Sequence, residues 1–573
     1  MNLRQDETNE GWPLRPWIMA GICAVAGLLF HLLTDHRWQD PLAAWRQAGA
    51  TFVVIATVGF VLTVEQRRWL WSLYFALGWG VVIAFVGWFT AGYNHKPTIF
   101  EWPFLSGIFA VLLAAPLFQT MRDEGARKLP YGRLHGHAWT DAVIGASSLV
   151  FVGIAFALAW LIAGLFDLIG IEAIKDLLEE DWFGWMLAGF AFGAAVGLLR
   201  ERDALVATLQ RLVMVVLSVL APVLAVALIA FLASVPFTGL DELWDSVIPA
   251  TPLMLVAGAG AILLANSVFG DGEEGVGEEE RPANRALRYA APALVLTVLP
   301  LAIIAAVSLG QRIGQYGWTP ERIWGVIAVG VAIVYGIAGW WSGGRGWMRF
   351  DDLLRPLQTR MALGLCGIAL LLALPILDFG AISARSQLAR LESGSVKADE
   401  FDWAAMAFDF GPSGRARLER IAKGGPIDQR RVAANALKET NRYTISSANG
   451  ALRKGREIAK RLRLVPVDIV MTDELREKIG AKYECRRKDD DCALLRIATD
   501  RYLLISMMGK KKWVSSSAID LTEPKLSNVV DGTGMKQGDR AEGVDLSTAQ
   551  IELREVRRRQ LFVDGKASGE PFK

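Results

Sequence analysis

Cysteine and histidine are nearly absent from this chain: its 573 residues contain four of the first and five of the second. No CxxC pair, no Cys/His spacing suited to zinc and no histidine set suited to haem occurs, so neither a metal nor any other cofactor is expected. A Gly-rich phosphate loop and a recognisable nucleophile motif are missing as well. No segment resembles a nucleic-acid-binding module, which removes nucleic acid as an expected partner. Charge is scarce in one place, the long apolar runs. Asp167, Asp378 and His31 stand near run ends, where an ionisable side chain reaches interfacial water. A proton- or ion-coupled transporter needs charge at mid-span, so this scarcity counts against one.

What is abundant is apolar surface. Hydrophobic residues make up 53% of the chain and the mean hydropathy is +0.31, outside the range of an ordinary soluble protein. A bilayer core takes roughly 20 apolar residues in a helix. Eleven runs qualify: Trp17–Leu33, Gly49–Val64, Trp69–Gly92, Trp102–Phe118, Ala142–Leu168, Trp182–Leu199, Leu212–Val235, Ile248–Val268, Tyr289–Leu309, Ile323–Trp341 and Met361–Ile382. Several begin or end on tryptophan, whose amphipathic ring suits the membrane interface. Glu65-Gln-Arg-Arg68 makes the second and third runs a tight helical hairpin. The first run follows Arg4 and Arg15 in the manner of a signal peptide. Its end carries no small-x-small site, so it is expected to stay as a span. Lipid is therefore the first expected partner. The fold class that follows is an α-helical polytopic membrane protein of about eleven transmembrane helices over residues 1–382, with a C-terminal soluble α+β domain over residues 383–573.

Orientation is read from basic residues in the connections. Those at 119–141, 200–211, 269–288 and 342–360 are rich in arginine, whereas those at 169–181, 236–247 and 310–322 are poor and partly acidic. The two kinds alternate, which puts the N-terminus in the cytoplasm and the C-terminal domain outside, periplasmic in a cell with two membranes. Gly270 to Glu280 reads as a flexible cytoplasmic linker. The sixth run carries Gly189, Gly193 and Gly197 on one helical face. Missing side chains there admit a close neighbour, either within the bundle or at a seam between two copies, so a homo-oligomer stays open.

The tail has a different character. From Ser383 it holds 37 Lys and Arg against 28 Asp and Glu, whereas the part before it is acidic. Helices are expected over Ser413–Lys423 and Asp428–Glu439, each opened by its own capping side chain, and over Ala451–Leu462. A strand at Val467–Met471 and a capped helix at Thr472–Gly480 follow. Strands are then expected at Lys482–Cys485, Cys492–Ala498, Tyr502–Met507, Trp513–Asp520, Ile551–Val556 and Gln560–Val563, with a polar mobile loop at Pro524–Leu546. Cys485 and Cys492 flank the charged turn Arg486-Arg-Lys-Asp-Asp-Asp491 between two such strands. Outside the cytoplasm the pair is expected to oxidise, stabilising the fold by roughly 2–3 kcal/mol on the chain-entropy account. The basic face of the third tail helix is a solvated surface or, close to a membrane, a contact for envelope lipids or proteins.

One short outward connection is distinctive. In Tyr316-Gly317-Trp318-Thr319-Pro320-Glu321-Arg322, Tyr-Gly makes a turn and Thr319 caps a helix that opens on Pro320. This sequence resembles the Tyr-Gly-x-Thr-x-x-Arg signature of the bacterial membrane proteins classed as domain-of-unknown-function family 4153. The order of a many-span bundle followed by an outer tail is similar too. The resemblance implies a bacterial inner-membrane protein, with Tyr316, Gly317, Thr319 and Arg322 as its shared motif, and it supplies no catalytic residues.

Three functional classes remain. The first is an envelope module whose periplasmic domain binds or senses something and is anchored by the bundle. The second is a transporter or channel for a small solute or lipid. The third is a membrane-embedded enzyme acting on lipid-linked substrates, for which His135 and His137, or the acids Asp241, Glu242 and Asp245, are the candidate groups. Composition favours the first.

Overall fold

The computed structural model describes residues 12–35, 42–91, 98–125, 129–239, 249–270, 285–346, 349–485, 487, 490–508, 513–522, 559–563 and 566–572. The segment 271–284, the acids Asp241, Glu242 and Asp245, the expected strand at Ile551–Val556 and the expected loop at Pro524–Leu546 lie outside these residues. The chain divides into two compact units. One comprises residues 1–390 and 408–417, the other residues 391–407 and 418–573.

The first unit is helical. Its long helices are α1 (Arg15–Thr34), α2 (Ala44–Thr63), α3 (Trp69–Ala91), α4 (Thr98–Glu124), α5 (Tyr131–Asp167), α7 (Asp181–Arg200), α8 (Asp203–Thr238), α9 (Ala250–Phe269), α10 (Arg285–Tyr316), α11 (Pro320–Gly346) and α12 (Phe350–Ala373). The short α6 (Ala173–Glu179) lies between α5 and α7. Eleven helices among the described residues have the length and apolarity to cross a membrane, and the chain is a polytopic helical membrane protein. Large apolar side chains such as Leu149 and Leu161 on α5 and Val223 and Val226 on α8 point outward. In a bilayer that surface meets acyl chains instead of water, so its exposure carries no hydrophobic penalty.

Many helices overrun the apolar stretches that define them. α5, for instance, begins eleven residues before Ala142 and carries His135 and His137 in its first turns. The largest displacement is in the last span. The expected Met361–Ile382 helix instead starts at Phe350 and stops at Ala373. Pro375 is the reason: the residue before a proline is driven out of the helical region, and Leu374 is extended at φ −79°, ψ 146°. After this break Asp378 Oδ1 accepts from Ala381 N at 2.8 Å and opens α13 (Phe379–Glu392).

α1 and α7 pack backbone to backbone. A Cβ at Gly193 would stand 2.3 Å from the Met19 carbonyl oxygen, one at Gly189 2.1 Å from that of Cys23, and one at Gly197 2.5 Å from Pro16 Cα. Gly27 on α1 meets Trp185 O in the same way, at 2.2 Å. The glycine stripe is therefore occupied by a helix of the same chain. A second cluster joins α8 to α12, built around Ala221, Leu294, Leu301, Ala305 and Leu354. α4 pairs with α12, where Ser106 Oγ donates to Ala369 O at 2.9 Å.

The second unit mixes helices and strands. α14 (Gly411–Gly424) straddles the division of the chain, and α15 (Ile427–Lys438), α16 (Arg442–Ala459) and α17 (Asp473–Ala481) follow it. Strands β1 (Arg463–Val465), β2 (Asp491–Ala498), β3 (Arg501–Met508) and β4 (Trp513–Asp520) form one sheet in that order. β1 and β2 are parallel, joined by a crossover containing α17, and the remaining pairs are antiparallel. A separate hairpin joins β5 (Arg559–Val563) to β6 (Lys566–Phe572). Leu475 and Ile479 of α17 meet Leu494, Leu504 and Ile519 of the sheet in one core. Gly455 and Gly480 let α16 and α17 touch, since a Cβ at either would fall within 2 Å of a backbone oxygen on the other helix. Asp520 accepts from Thr522 Oγ1 at 2.6 Å and from Arg501 Nε at 2.7 Å, and these bonds hold its carboxyl down at about 2.

Three local expectations are corrected. The strand lies at Arg463–Val465, not Val467–Met471, because only there does the chain find β2 as a partner. Lys482–Cys485 forms no strand and leaves α17 as a turn. Ser413 does not cap its helix, since its Oγ donates to Asp378 Oδ2 at 2.8 Å, and the cap position of α15 falls on Pro426.

The close α1–α7 crossing yields a paired test. Gly193→Val should lower the thermal unfolding temperature of the detergent-purified protein and its monodisperse yield, with a cost of about 1–3 kcal/mol or more from overpacking. Gly153→Val, where a Cβ meets nothing within 4 Å, should leave both unchanged.

Candidate functional site

The segment Tyr316 to Arg322 turns the chain from α10 into α11. Gly317 has φ +74°, a left-handed conformation that glycine adopts without penalty. Its amide donates to Ile313 O at 2.8 Å and closes α10. Thr319 Oγ1 accepts from Arg322 N at 3.4 Å, and Pro320 is the first residue of α11. Arg322 folds back over the turn. Its Nη1 donates to Gly317 O at 2.6 Å, and its guanidinium lies 5.5 Å from the centroid of the Tyr316 ring. The four motif residues thus form one turn, each with a distinct task.

α13 grips this turn. Ser386 Oγ accepts from Trp318 N at 3.2 Å, and Gln387 Nε2 donates to Tyr316 O at 2.8 Å and Trp318 O at 3.0 Å. Arg390 Nη2 donates to Gln315 O at 2.6 Å. A Cβ on Gly317 would stand 2.7 Å from Arg390 Cδ and 2.9 Å from Gln387 Nε2, so glycine is required for space as well as for φ. Below, Trp324 stacks on Trp102 with centroids 5.8 Å apart and meets Phe379 edge-on at 5.6 Å. Sequence reasoning missed Ser386, Gln387 and Arg390. Their signal was a polar stripe at i, i+1 and i+4 in a helix without another recognisable pattern.

A polar cluster gathers where α2, α4, α5 and α7 end or begin. Arg122, with a side chain 3% exposed, pairs with Glu65 and with Asp123 at 2.8 Å and donates through Nη1 to Thr63 O at 2.5 Å. Asp141 accepts from Arg200 Nη2 at 2.9 Å and Gln119 Nε2 at 2.6 Å. Arg15 Nη2 donates to Val64 O at 2.8 Å. Removing one partner of a buried pair such as Asp141–Arg200 costs about 3–5 kcal/mol, because a charge is left uncompensated. Asp141 was overlooked as a site residue. It is the only acid between Glu124 and Asp167, and that isolation was the available signal.

The histidines flank this cluster. His137 Nε2 lies 3.2 Å from Asp123 Oδ2, and Tyr131 Oη lies 3.1 Å from His135 Nδ1. No group of three or more His, Cys, Asp or Glu side chains among the described residues could hold a metal. Elsewhere a recess of about 600 Å³ is lined by His31, Trp182 and five carboxylates, Asp35, Asp176, Glu179, Glu180 and Asp181.

In the second unit Cys485 and Cys492 form a disulfide. Cys492 is the second residue of β2, and Cys485 follows α17 at φ +62°. The bond therefore ties a helix end to the sheet, and both sulfurs lie in the core instead of on an exposed hairpin tip. Arg461 donates to the carbonyls of Cys485 and Arg487 beside it.

Gly317→Ala should loosen the grip of α13 without unfolding the bundle. Hydrogen exchange of peptides covering residues 379–392 should accelerate, while peptides of α1 and α7 exchange as in the wild type.

A search of curated proteins and of solved structures finds no match to this chain. The family described as domain of unknown function DUF4153 matches residues 50–420, which contain both the Tyr316–Arg322 turn and the helix that grips it. That span is well over half of the sequence, and the chain belongs to the DUF4153 family.

Proposed function

We propose that this protein is a bacterial inner-membrane anchor that presents its C-terminal domain outside the cytoplasm, as an envelope module that binds or senses a component there. The observation that carries the reading is the Cys485–Cys492 disulfide, since such bonds persist in oxidising compartments and are rare in the cytosol. The alternation of arginine-rich and arginine-poor connections supports the same side for the tail. Among the described residues, ion pairs of the first unit such as Arg200–Asp141 and Arg355–Asp351 sit toward helix ends. A transporter of polar solutes needs such groups along a path through the middle of the bundle.

Placement of the tail is testable with introduced cysteines. Cys485 and Cys492 are buried, so they are poor targets. Val467 is 87% exposed, and the Arg133 side chain on α5 is 61% exposed. A thiol reagent that cannot cross the inner membrane should label Val467→Cys in cells with a permeabilised outer membrane, and Arg133→Cys only after lysis. The reverse pattern would place the tail in the cytoplasm and end this reading.

A further inference from the structure

The turn between α14 and α15 presents an apolar residue to the outside of its unit. Both helices are amphipathic: α14 buries Leu418 and Ile421, and α15 buries Ala433 and Ala436. Ile427, the first residue of α15, lies off that buried face and is 85% exposed, with Pro426 exposed before it. The turn that carries them is tightly bonded. Gly425 N donates to Ile421 O at 2.8 Å, the amides of Gln429 and Arg430 each donate to Pro426 O at 3.0 Å, and Arg430 Nε donates to Gly425 O. A Cβ on Gly425 would stand 2.7 Å from Ile421 O, so the chain closes there only on glycine.

Cations surround this tip. Arg420 and Lys423 near the end of α14, and Arg430 and Arg431 near the start of α15, are exposed. Residues 418–438 hold five Lys and Arg against two acids, Glu419 and Asp428. An apolar apex ringed by basic side chains is the anatomy of an interfacial anchor, in which burial among headgroups adds to attraction for anionic lipid. A protein hot spot relies instead on aromatic anchors seated in packed pockets, and residues 418–438 contain no aromatic residue. The chain itself keeps the tip within reach of a bilayer. Ser413 bonds Asp378, five residues past the end of α12. Lys423 follows Ser413 by ten residues, at most about 35 Å of chain.

We propose that the turn between α14 and α15 docks on an anionic bilayer surface, with Pro426 and Ile427 at headgroup depth and Arg420, Lys423, Arg430 and Arg431 on the phosphates around them. The proposal does not rest on which side of the membrane the tail occupies. Nanodiscs, open on both faces, test it separately from that placement.

The test uses the full-length protein with a polarity-sensitive fluorophore on Gly424→Cys, in nanodiscs whose lipids carry a nitroxide close to the headgroup. Gly424 is exposed and a Cβ there meets nothing within 4 Å; the chain without the introduced cysteine supplies the background. In equal phosphatidylglycerol and phosphatidylcholine the probe should be quenched, and in phosphatidylcholine alone it should stay bright. Lys423→Gln combined with Arg431→Gln should lower the docked-to-free ratio about thirtyfold, the scale of two basic residues near an anionic surface. Ile427→Asp should abolish quenching without lowering the thermal unfolding temperature, since an acid suits the first turn of a helix. Quenching that does not differ between the two lipids, or that survives Ile427→Asp or the double substitution, would overturn the proposal. So would a blue-shifted probe that the lipid nitroxides leave unquenched, which would put the tip against protein.

Discussion

A helix that ends near lipid leaves backbone carbonyls without water to bind, and the rest of this structure depends on how those carbonyls are satisfied. The recurrent solution is an arginine from a neighbouring element. Arg46 of α2 donates to Leu33 O at 2.8 Å and Leu32 O at 2.9 Å at the end of α1. Arg122 and Arg15 serve Thr63 and Val64 at the end of α2. Arg355 of α12 reaches Phe269 O at 2.7 Å at the end of α9, and Arg390 of α13 reaches Gln315 O at the end of α10. The planar fork with several donors suits two adjacent carbonyls at once, which a lysine ammonium serves less well. Successive spans alternate in direction, so these caps occur at both ends of the bundle. An arginine in a connection is therefore a packing device for the helix end beside it.

The Tyr316–Arg322 turn is the most developed case. Its glycine admits α13, its arginine closes the turn on itself, and three α13 side chains hold the backbone of the loop. The family match ends at residue 420, just beyond residues 408–417, the last stretch assigned to the first unit. Most of the second unit, with its sheet and disulfide, lies beyond that match. The matched part thus runs from within α2 through the rest of the bundle and α13, and leaves α1 outside it. Within the first unit, α13 is tied at its start by Asp378, which also bonds Ser413, and along its length by the turn.

Much of this was legible because membrane spans obey a strong rule, that long apolar runs become helices. The glycine stripe on α7 was equally legible, since three glycines at spacing four have few uses besides close packing. The strands at Trp513–Asp520 and near Cys492 and Tyr502 followed from alternation and bounding turns. Failures came where a side chain serves a distant segment. Ser413 looked like a local cap but bonds Asp378, 35 residues away. Arg122 and Arg200 counted in the sequence only as basic residues of their connections, whereas their side chains are nearly enclosed by Glu65 and Asp141 from other parts of the chain. The last span slipped because Pro375 lies inside an apolar run, and apolarity continues across it while the helix does not.

The most direct test of the arginine-capping account replaces Arg46, Arg355 and Arg390 one at a time with lysine, which keeps the charge and removes the fork. Thermal unfolding of the purified full-length protein is the measurement. Each lysine variant is predicted to unfold at a lower temperature than wild type. Lysine variants as stable as wild type would mean that charge alone suffices at these helix ends, contradicting the account.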